Sequence, residues 1–305
     1  MTASPARASV VVPTVCKVGM LGLGIMGSAM TANLVRAGFE VFGYDPVKPA
    51  RDQLAADGGF AMPDARGAIR EADVLLLSLP GEAALESVTA DILAAARPGL
   101  VVVETSTLAV DTKLKAHDAL KARGIVMLDC PISGTGAQAL TRDLAIYASG
   151  DAAAIARVQP VLDAFARVTY VIGDFGKGMH MKLMANLLVS IHNLSTAEAL
   201  LMGSRMGIDM DTAIRVLSDG AGGSRMLEVR GPLMSERSWD QATMKVSTWQ
   251  KDIKLITAAL AEANVPAPLF NAAIPIYNAA MGMGHGNADT AAVYDVLERM
   301  SGPPR

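Results

Sequence analysis

The amino-acid sequence predicts a two-domain α/β protein, in which a doubly wound, mainly parallel sheet is followed by an all-helical domain. Short apolar runs rich in Val, Leu and Ile alternate with helix-compatible segments as far as residue 174. Beyond that residue almost every segment has helical spacing, and a long helical run at residues 176–206 joins the two parts. We expect domains at residues 1–174 and 175–305, with residues 1–14 as a flexible tail.

Composition narrows the classes of partner. The chain has 305 residues, of which 51% are hydrophobic and 19% charged, and its formal net charge is −3. This slightly acidic balance without a Lys/Arg cluster disfavours nucleic acid and anionic membrane, so a small-molecule ligand is predicted. Two cysteines and no apolar signal-peptide core indicate a reducing compartment, and we expect a cytoplasmic protein. Neither a membrane span nor a metal site is predicted.

The first elements carry a nucleotide-binding pattern. A predicted strand at residues 15–21 runs into the sequence GLGIMG, residues 22–27, and a helical segment that ends near Gly38. A second predicted strand, residues 40–44, is followed directly by Asp45. Glycines at this spacing, with a strand before them, a helix after them and an acidic residue at the next strand end, match the dinucleotide fingerprint of a Rossmann domain.

Each position of this loop has a physical reason. Gly22 permits the tight turn, Gly24 lets the backbone approach a pyrophosphate, and Gly27 lets the helix pack closely on the sheet. With Ile25 and Met26 they form the predicted phosphate-binding loop at a helix N-terminus.

The acidic residue Asp45 indicates whether NAD or NADP is the preferred cofactor. Its carboxylate would accept hydrogen bonds from the adenosine ribose and repel a 2′-phosphate, so NAD is favoured, while nearby Lys48 keeps NADP open. The alternative is that the glycines form only a turn and that Asp45 caps the next helix.

The alternation continues to the end of the first domain. Further strands are predicted at residues 73–79, 100–104, 125–129, 144–149 and 168–172, and helices at residues 82–96 and 109–121. Apolar runs without strict alternation suit strands buried on both faces. Ligands of such sheets bind beyond the carboxyl ends of the strands, which draws attention to Leu79 and Pro80, to residues 105–107 and to residues 130–136.

Two of these strand ends offer polar groups. Ser133, Gly134 and Thr135 present hydroxyl and backbone N–H groups that suit a substrate carboxylate, although a simple polar turn is the alternative. Ser106 and Thr107, taken alone, are N-cap residues of the helix that follows.

The second domain is helical throughout. Helices are predicted at residues 179–206, 210–217, 247–263, 269–281 and 290–300. Their many Met and Ala residues are typical of a core or a subunit interface.

Lys182 and Asn186 stand out in the long helix, because a spacing of four places both side chains on one helical face. Most helical lysines are solvated surface charges. Here the neighbours are apolar, among them Met181, Leu183 and Met184, which predicts partial burial and a lowered pKa. Such a lysine can donate or accept a proton in catalysis.

Four segments in this order resemble one family, the β-hydroxyacid dehydrogenases, which include 3-hydroxyisobutyrate dehydrogenase and tartronate semialdehyde reductase. They are GLGIMGSAMTANLVRAG at 22–38, DCPISGTGAQA at 129–139, GKGMHMKLMAN at 176–186 and KDIKL at 251–255. The resemblance implies that Lys182 is the catalytic lysine and Asn186 the residue that orients the substrate. It also implies that Ser133 and Gly134, with Thr135, bind the substrate carboxylate.

The resemblance further assigns residues to the cofactor. Ser106 would lie near nicotinamide and substrate, and Lys251 would approach the nicotinamide from the second domain. Leu79, Pro80 and Thr107 are expected to flank the cofactor because of their place at the strand ends. The implied reaction moves a hydride between NAD, with NADP open, and a small 3-hydroxy acid or semialdehyde, with Lys182 as the acid/base. The enzyme would be a homodimer or homotetramer, with binding and chemistry supplied by opposite domains.

The chain departs from the family at three places. Thr135 stands where Gly is usual and would narrow the carboxylate pocket or add a donor to it, and Glu104 stands where many members carry Asp. Residues 224–234 match no substrate signature. Two alternatives remain: an imine reductase, which Lys182 disfavours, and a catalytically inactive nucleotide-sensing homologue.

Overall fold

A computed structural model describes residues 17–302. The expected tail, residues 1–14, and the first two positions of the first predicted strand lie outside this range. The chain divides into two compact units, Met1–Met179 and His180–Arg305.

The first unit contains one sheet of nine strands among the described residues. In chain order these are β1 (Lys17–Leu21), β2 (Glu40–Tyr44), β3 (Phe60–Ala61), β4 (Val74–Leu77), β5 (Val101–Glu104), β6 (Val126–Asp129), β7 (Ile132–Ser133), β8 (Ala145–Ser149) and β9 (Val168–Gly173). Their spatial order is β3-β2-β1-β4-β5-β6-β8-β7, with β9 also paired to β8. Strands β1 to β6 are mutually parallel, whereas β8 is antiparallel to both β6 and β7. The predicted mainly parallel sheet is confirmed.

Helices cover both faces of this sheet. They are α1 (Ile25–Arg36), α2 (Lys48–Ala56), α3 (Ala65–Glu71), α4 (Glu82–Ala95), α5 (Val110–Lys121), α6 (Gly136–Leu140) and α7 (Ala152–Phe165). Strand β4 shows the two-sided burial: Val74 and Leu76 join the core under α1 and α7, while Leu75 and Leu77 join the core under α3, α4 and α5. Both faces of the strand are therefore buried, which explains its unbroken apolar sequence.

The long helix α8 (Lys177–Arg205) begins in the first unit and continues through the second. It is followed by α9 (Met210–Asp219), α10 (Arg225–Ser235), α11 (Val246–Glu262), α12 (Pro268–Gly282) and α13 (Val293–Met300). The predicted helix at residues 290–300 is divided, because residues Thr290–Ala292 form a 3-10 turn before α13. The all-helical character of the second part is confirmed. Within residues 17–302, every helix is too short or too polar to span a bilayer.

A buried ion pair holds the end of the second unit together. Asp289, fully buried, accepts from Arg230 Nε at 3.1 Å and from the backbone N–H of Thr243 and Met244 at 2.9 and 3.0 Å. This one carboxylate therefore joins α10 to the segments before α11 and α13.

Candidate active site

The turn between β1 and α1 requires glycine. Gly22 has a φ of 92°, and a Cβ there would lie 2.1 Å from the carbonyl oxygen of Ser78. A Cβ on Gly27 would lie 2.0 Å from the carbonyl oxygen of Gly22. Larger residues at these two positions would push α1 away from the sheet edge.

The same turn fits a dinucleotide. Gly24 is exposed, and a Cβ built on it would meet no protein atom within 4 Å, so a phosphate can approach its backbone closely. Helix α1 begins without a side-chain cap and without an acidic residue in its first turn. Its first N–H groups and its positive dipole end are therefore available to an anion. Ile25 is 78% exposed, whereas Met26 packs against the core.

Asp45 closes this turn from the neighbouring strand. One carboxylate oxygen accepts from the backbone N–H of Leu23 at 2.8 Å, and the other accepts from Val47 N–H at 2.8 Å. The N-cap of α2 is Val47, without a side-chain cap, so the alternative that Asp45 caps this helix is wrong. Each carboxylate oxygen can accept a further hydrogen bond, which a ribose hydroxyl can supply. Lys48 instead pairs with Asp52 at 2.7 Å on the exposed face of α2.

The ends of β4 and β5 are joined by Ser106. Its Oγ accepts from Leu79 N–H at 2.8 Å, and its own N–H donates to Glu104 Oε1 at 2.9 Å. Ser106 is buried, Leu79 and Thr107 are partly buried, and Pro80 is exposed. Helix α5 begins at Val110 without a side-chain cap, so the idea that Ser106 or Thr107 caps it is wrong.

The predicted carboxylate loop follows β7. Gly134 has a φ of 139°, and a Cβ there would lie 2.5 Å from Leu144, so the loop requires glycine. Thr135 is the N-cap of α6: its Oγ1 accepts from Gln138 N–H, and Gln138 Oε1 accepts from Thr135 N–H at 3.0 Å. This capping box uses the Thr135 hydroxyl within the loop itself. Ser133 is partly buried.

The two loops of the first unit touch each other. A Cβ on Gly136 would lie 2.5 Å from Ile25 Cγ2, so the absence of a side chain lets the carboxylate loop approach the glycine turn. Beneath them, buried Asn33 donates from Nδ2 to the carbonyl oxygens of Ala29 at 2.9 Å and Ala139 at 2.8 Å, and this joins α1 to α6. No local pattern in the sequence marks Asn33, because its second partner lies in a distant segment.

In the second unit, Asn186 is held by a carboxylate that the sequence analysis also missed. Its Nδ2 donates to Asp252 Oδ2 at 3.0 Å, and the two residues are only 4% and 5% exposed. Lys251 Nζ lies 3.6 Å from the other oxygen of Asp252. The signal was present in the KDIKL segment, where only the lysine drew attention.

Lys182 lies one helical turn before Asn186 and is partly buried. Burial lowers the pKa of its ammonium group to about 8; the Asp252 carboxylate opposes this shift and the Lys251 charge adds to it. Burial also raises the pKa of Asp252. The expected lowering of the Lys182 pKa is confirmed, and it brings proton exchange close to neutral pH.

Each of the two units matches a known protein-family model. Residues 17–173 match the family model of the NAD binding domain of 6-phosphogluconate dehydrogenase. Residues 176–297 match the model described as NAD-binding of NADP-dependent 3-hydroxyisobutyrate dehydrogenase.

Individual relatives match along almost the whole chain. The NAD-dependent L-serine dehydrogenase of Pseudomonas aeruginosa is 30% identical, over 94% of this chain and 99% of its own length. The 2-(hydroxymethyl)glutarate dehydrogenase of Eubacterium barkeri is 29% identical, over 94% and 96%. The solved structure of Mycobacterium tuberculosis 3-hydroxyisobutyrate dehydrogenase with L-serine has a TM-score of 0.85 at 29% identity, over 93% and 99%. An imine reductase from Pseudomonas sp., at 19% identity and a TM-score of 0.60, shares the fold alone.

Proposed function

The chain belongs to the β-hydroxyacid dehydrogenase family of NAD(P)-dependent oxidoreductases, and from that premise we propose that it transfers a hydride between the nicotinamide and a small 3-hydroxy acid. Family membership confirms the resemblance seen in the sequence, and with it the class of enzyme, a dehydrogenase that acts on the hydroxyl group of hydroxy acids. The assignment of individual residues and of the substrate is our proposal.

One observation carries the proposal: a lysine with a pKa of about 8 lies one helical turn from an asparagine that a buried carboxylate holds in place. A lysine with an ordinary pKa of ~10.4 would be a poor base at neutral pH. At a pKa of about 8, both the neutral amine and the ammonium are populated under working conditions.

In the oxidative direction, the neutral amine of Lys182 accepts the proton of the substrate hydroxyl as the carbinol carbon loses a hydride. Bound NAD⁺ supplies the hydride acceptor. In the reductive direction, the Lys182 ammonium donates its proton to the carbonyl oxygen of the semialdehyde. Asn186 donates to Asp252 from Nδ2, which leaves its Oδ1 to accept a hydrogen bond from the Lys182 amino group, so that the lone pair of the amine can take the single proton of the substrate hydroxyl. Asp252 is thus the residue that fixes which way the amide faces.

Binding of the substrate carboxylate is assigned to the Ser133 hydroxyl and the Gly134 backbone. Because Gly136 lies against Ile25, this loop keeps a fixed distance from the glycine turn that binds the cofactor. Anchoring the carboxylate fixes which carbon faces the nicotinamide, and such positioning is a large part of catalysis. Thr135 serves as a helix cap, so we assign it to loop shape rather than to a substrate contact.

We assign NAD as the preferred cofactor, with NADP also accepted. Asp45 can bind the ribose hydroxyls and would repel a 2′-phosphate, while Lys48 is engaged by Asp52. Ser106, Leu79, Pro80, Thr107 and Lys251 complete the proposed surroundings of the cofactor.

The relatives suggest the class of substrate. L-Serine, 2-(hydroxymethyl)glutarate and 3-hydroxyisobutyrate, named with three of them, each carry a hydroxymethyl group on the carbon next to a carboxylate. We therefore propose a 3-hydroxypropionate substituted at C2, or the matching semialdehyde.

A rate screen tests this proposal. Each of 3-hydroxyisobutyrate, L-serine, 2-(hydroxymethyl)glutarate, threonate, tartronate semialdehyde and succinic semialdehyde is assayed with NAD(H) and NADP(H). Isobutanol, which lacks the carboxylate, is the matched control and should not react. Turnover of a 3-hydroxy acid is expected. NADH binding without turnover of any compound would instead support the nucleotide-sensing alternative, and reduction of a cyclic imine would support the imine reductase.

We also propose that the helical unit forms a homodimer or homotetramer interface. Large apolar side chains remain exposed near the end of α8, where Met202 and Met206 are 64% and 67% exposed. Light scattering on the purified protein measures the mass directly, and a monomer would refute this assignment.

A further inference from the structure

A lysine ammonium is completely buried in the first unit. Lys113, on α5, places Nζ 2.6 Å from Glu104 Oε2 and 2.7 Å from Asp129 Oδ1, and all three side chains have no exposed surface. The two carboxylates end the neighbouring strands β5 and β6. None of the three takes part in the proton transfer described above.

Each carboxylate also holds a segment that the proposed reaction uses. Glu104 accepts the N–H of Ser106 through Oε1 at 2.9 Å. Asp129 accepts the N–H of Met179, in the first turn of α8, through Oδ2 at 2.8 Å. Lys113 therefore pairs with both carboxylates, one of which holds the loop after β5 and the other the start of the helix that carries Lys182.

A second contact strengthens the hold on α8. Ser149 Oγ accepts the N–H of Gly178 at 2.9 Å and donates to Asp129. A Cβ on Gly178 would lie 2.2 Å from the carbonyl oxygen of Tyr147, so the helix start is pressed against β8. The first turn of α8 thus has little freedom to move while Asp129 stays in place.

The charges are consistent with a permanent ammonium. Burial alone would lower the pKa of Lys113, but the charges of Glu104 and Asp129 and their hydrogen bonds raise it above its usual value. The cluster carries one negative charge in excess, which faces the positive dipole end of α8. Buried ion pairs add little stability compared with apolar side chains of the same volume. What this cluster adds is a fixed geometry.

We propose that Lys113 is a positioning residue for the hydride-transfer reaction, which fixes the Ser106 loop and the first turn of α8 relative to each other. The inference rests on the proposed function, because Ser106 and Lys182 are assigned there. Lys182 follows Met179 by less than one turn of the same helix. A small rotation of this turn moves the amine, and misplacement by ~1 Å can lower a rate about a hundredfold.

The test uses a double variant that conserves the net charge of the cluster. Lys113→Met alone would leave two unpaired buried carboxylates and could unfold the protein. Lys113→Met with Glu104→Gln removes one charge of each sign, and the glutamine oxygen can still accept the Ser106 N–H. Lys115→Met, an exposed position on α5, is the matched control.

Two readouts are compared on full-length protein. Hydrogen exchange of the cofactor-free protein should accelerate in the peptides that cover residues 105–110 and 176–182, and remain unchanged in α1. With the best substrate of the screen, kcat should fall about tenfold to a hundredfold, while the NADH dissociation constant changes by less than about threefold. The Lys115→Met variant should match the wild type in both.

A wild-type kcat in the double variant would overturn the inference, since Lys113 would then act only as a counter-charge to Glu104. Unchanged exchange in residues 105–110 and 176–182 would overturn it as well. Failure of the proposed function looks different: the wild type itself would turn over no hydroxy acid, whereas the exchange experiment would still give its result.

Discussion

The pKa of Lys182 should respond in opposite directions to two neighbouring charges. In Asp252→Asn the negative charge that raises this pKa is lost, so the pKa should fall below about 8. In Lys251→Gln the positive charge that lowers it is lost, so the pKa should rise. Oxidation needs the neutral amine, which exists above the pKa. The oxidative rate should therefore reach its plateau at lower pH in Asp252→Asn and at higher pH in Lys251→Gln.

The size of the shift follows from the geometry of α8 and α11. Asp252 lies 3.0 Å from Asn186 Nδ2. Residues one turn apart on a helix have Cβ atoms ~5–6 Å apart, so we take ~8 Å as a working separation of the two charges. At an effective dielectric constant of ~20, Coulomb's law gives about 2 kcal/mol. Solvent screening of the partly exposed lysine reduces this to about 1 kcal/mol, or about 0.7 of a pKa unit. The shift from Lys251, which is more exposed, should be smaller.

The assay is the pH dependence of kcat/KM for the hydroxy acid at saturating NAD⁺. The positive charge of bound NAD⁺ shifts the pH profile of the wild type and of each variant by the same amount. The quantity to compare is therefore the difference between the apparent pKa of each variant and that of the wild type. Lys254→Gln, an exposed position on α11, controls for a general change of surface charge and should leave the profile in place. If both variants moved the profile in the same direction, or neither moved it, Lys182 would not be the group that titrates.

Three further predictions concern the first unit. Asp45→Ala should weaken NAD⁺ binding by about tenfold and NADP⁺ binding less, because hydrogen bonds to a charged group are worth ~1.5–3 kcal/mol; an unchanged ratio of calorimetric dissociation constants would contradict the assigned cofactor preference. Gly136→Val should push the carboxylate loop away from Ile25 and raise KM for the hydroxy acid about tenfold, with a smaller change in KM for NAD⁺. Asn33→Ala loses the hydrogen bond to Ala139 that joins α1 to α6 and the one to Ala29 within α1, and it should cost about 2 kcal/mol of unfolding free energy in urea titration; a change within error would show that α6 docks without it.

The elements that could be predicted are those whose sequence signal lies within the segment itself. Strand β2 occupies the expected residues 40–44, and the long helix differs by two residues or fewer at each end from its expected range. Helices α3, α7 and α10 were not anticipated, although each begins at an Asp or Ser N-cap, a signal that the sequence does contain. The antiparallel edge was not predictable either, because the pairing of Ile132 with Ile146 depends on contacts between distant segments.

The site residues also divide into those that local sequence identifies and those that depend on contacts between distant segments. The glycine turn and the spacing of Lys182 and Asn186 could be identified because each obeys a rule within a few residues. The role of Thr135 was open to the same reasoning, since Gln138 stands where a capping box requires it. The partners of Asn33 and Lys113 could not be identified, because each lies on another element and only tertiary packing brings it near. Asp252 stands in the recognised KDIKL segment, but its pairing with Asn186 likewise depends on tertiary packing.

The central claim is that Lys182 transfers the proton, and single-turnover kinetics of two variants test it most directly. Lys182→Met removes the amine, while Lys182→Arg keeps a positive charge that cannot be lost near pH 8. If Lys182 transfers the proton, both variants should bind NADH like the wild type and lose hydride transfer by at least about a thousandfold, whereas Lys177→Met, on the exposed start of the same helix, should keep both properties. Hydride transfer at the wild-type rate in Lys182→Arg or Lys182→Met would contradict this claim.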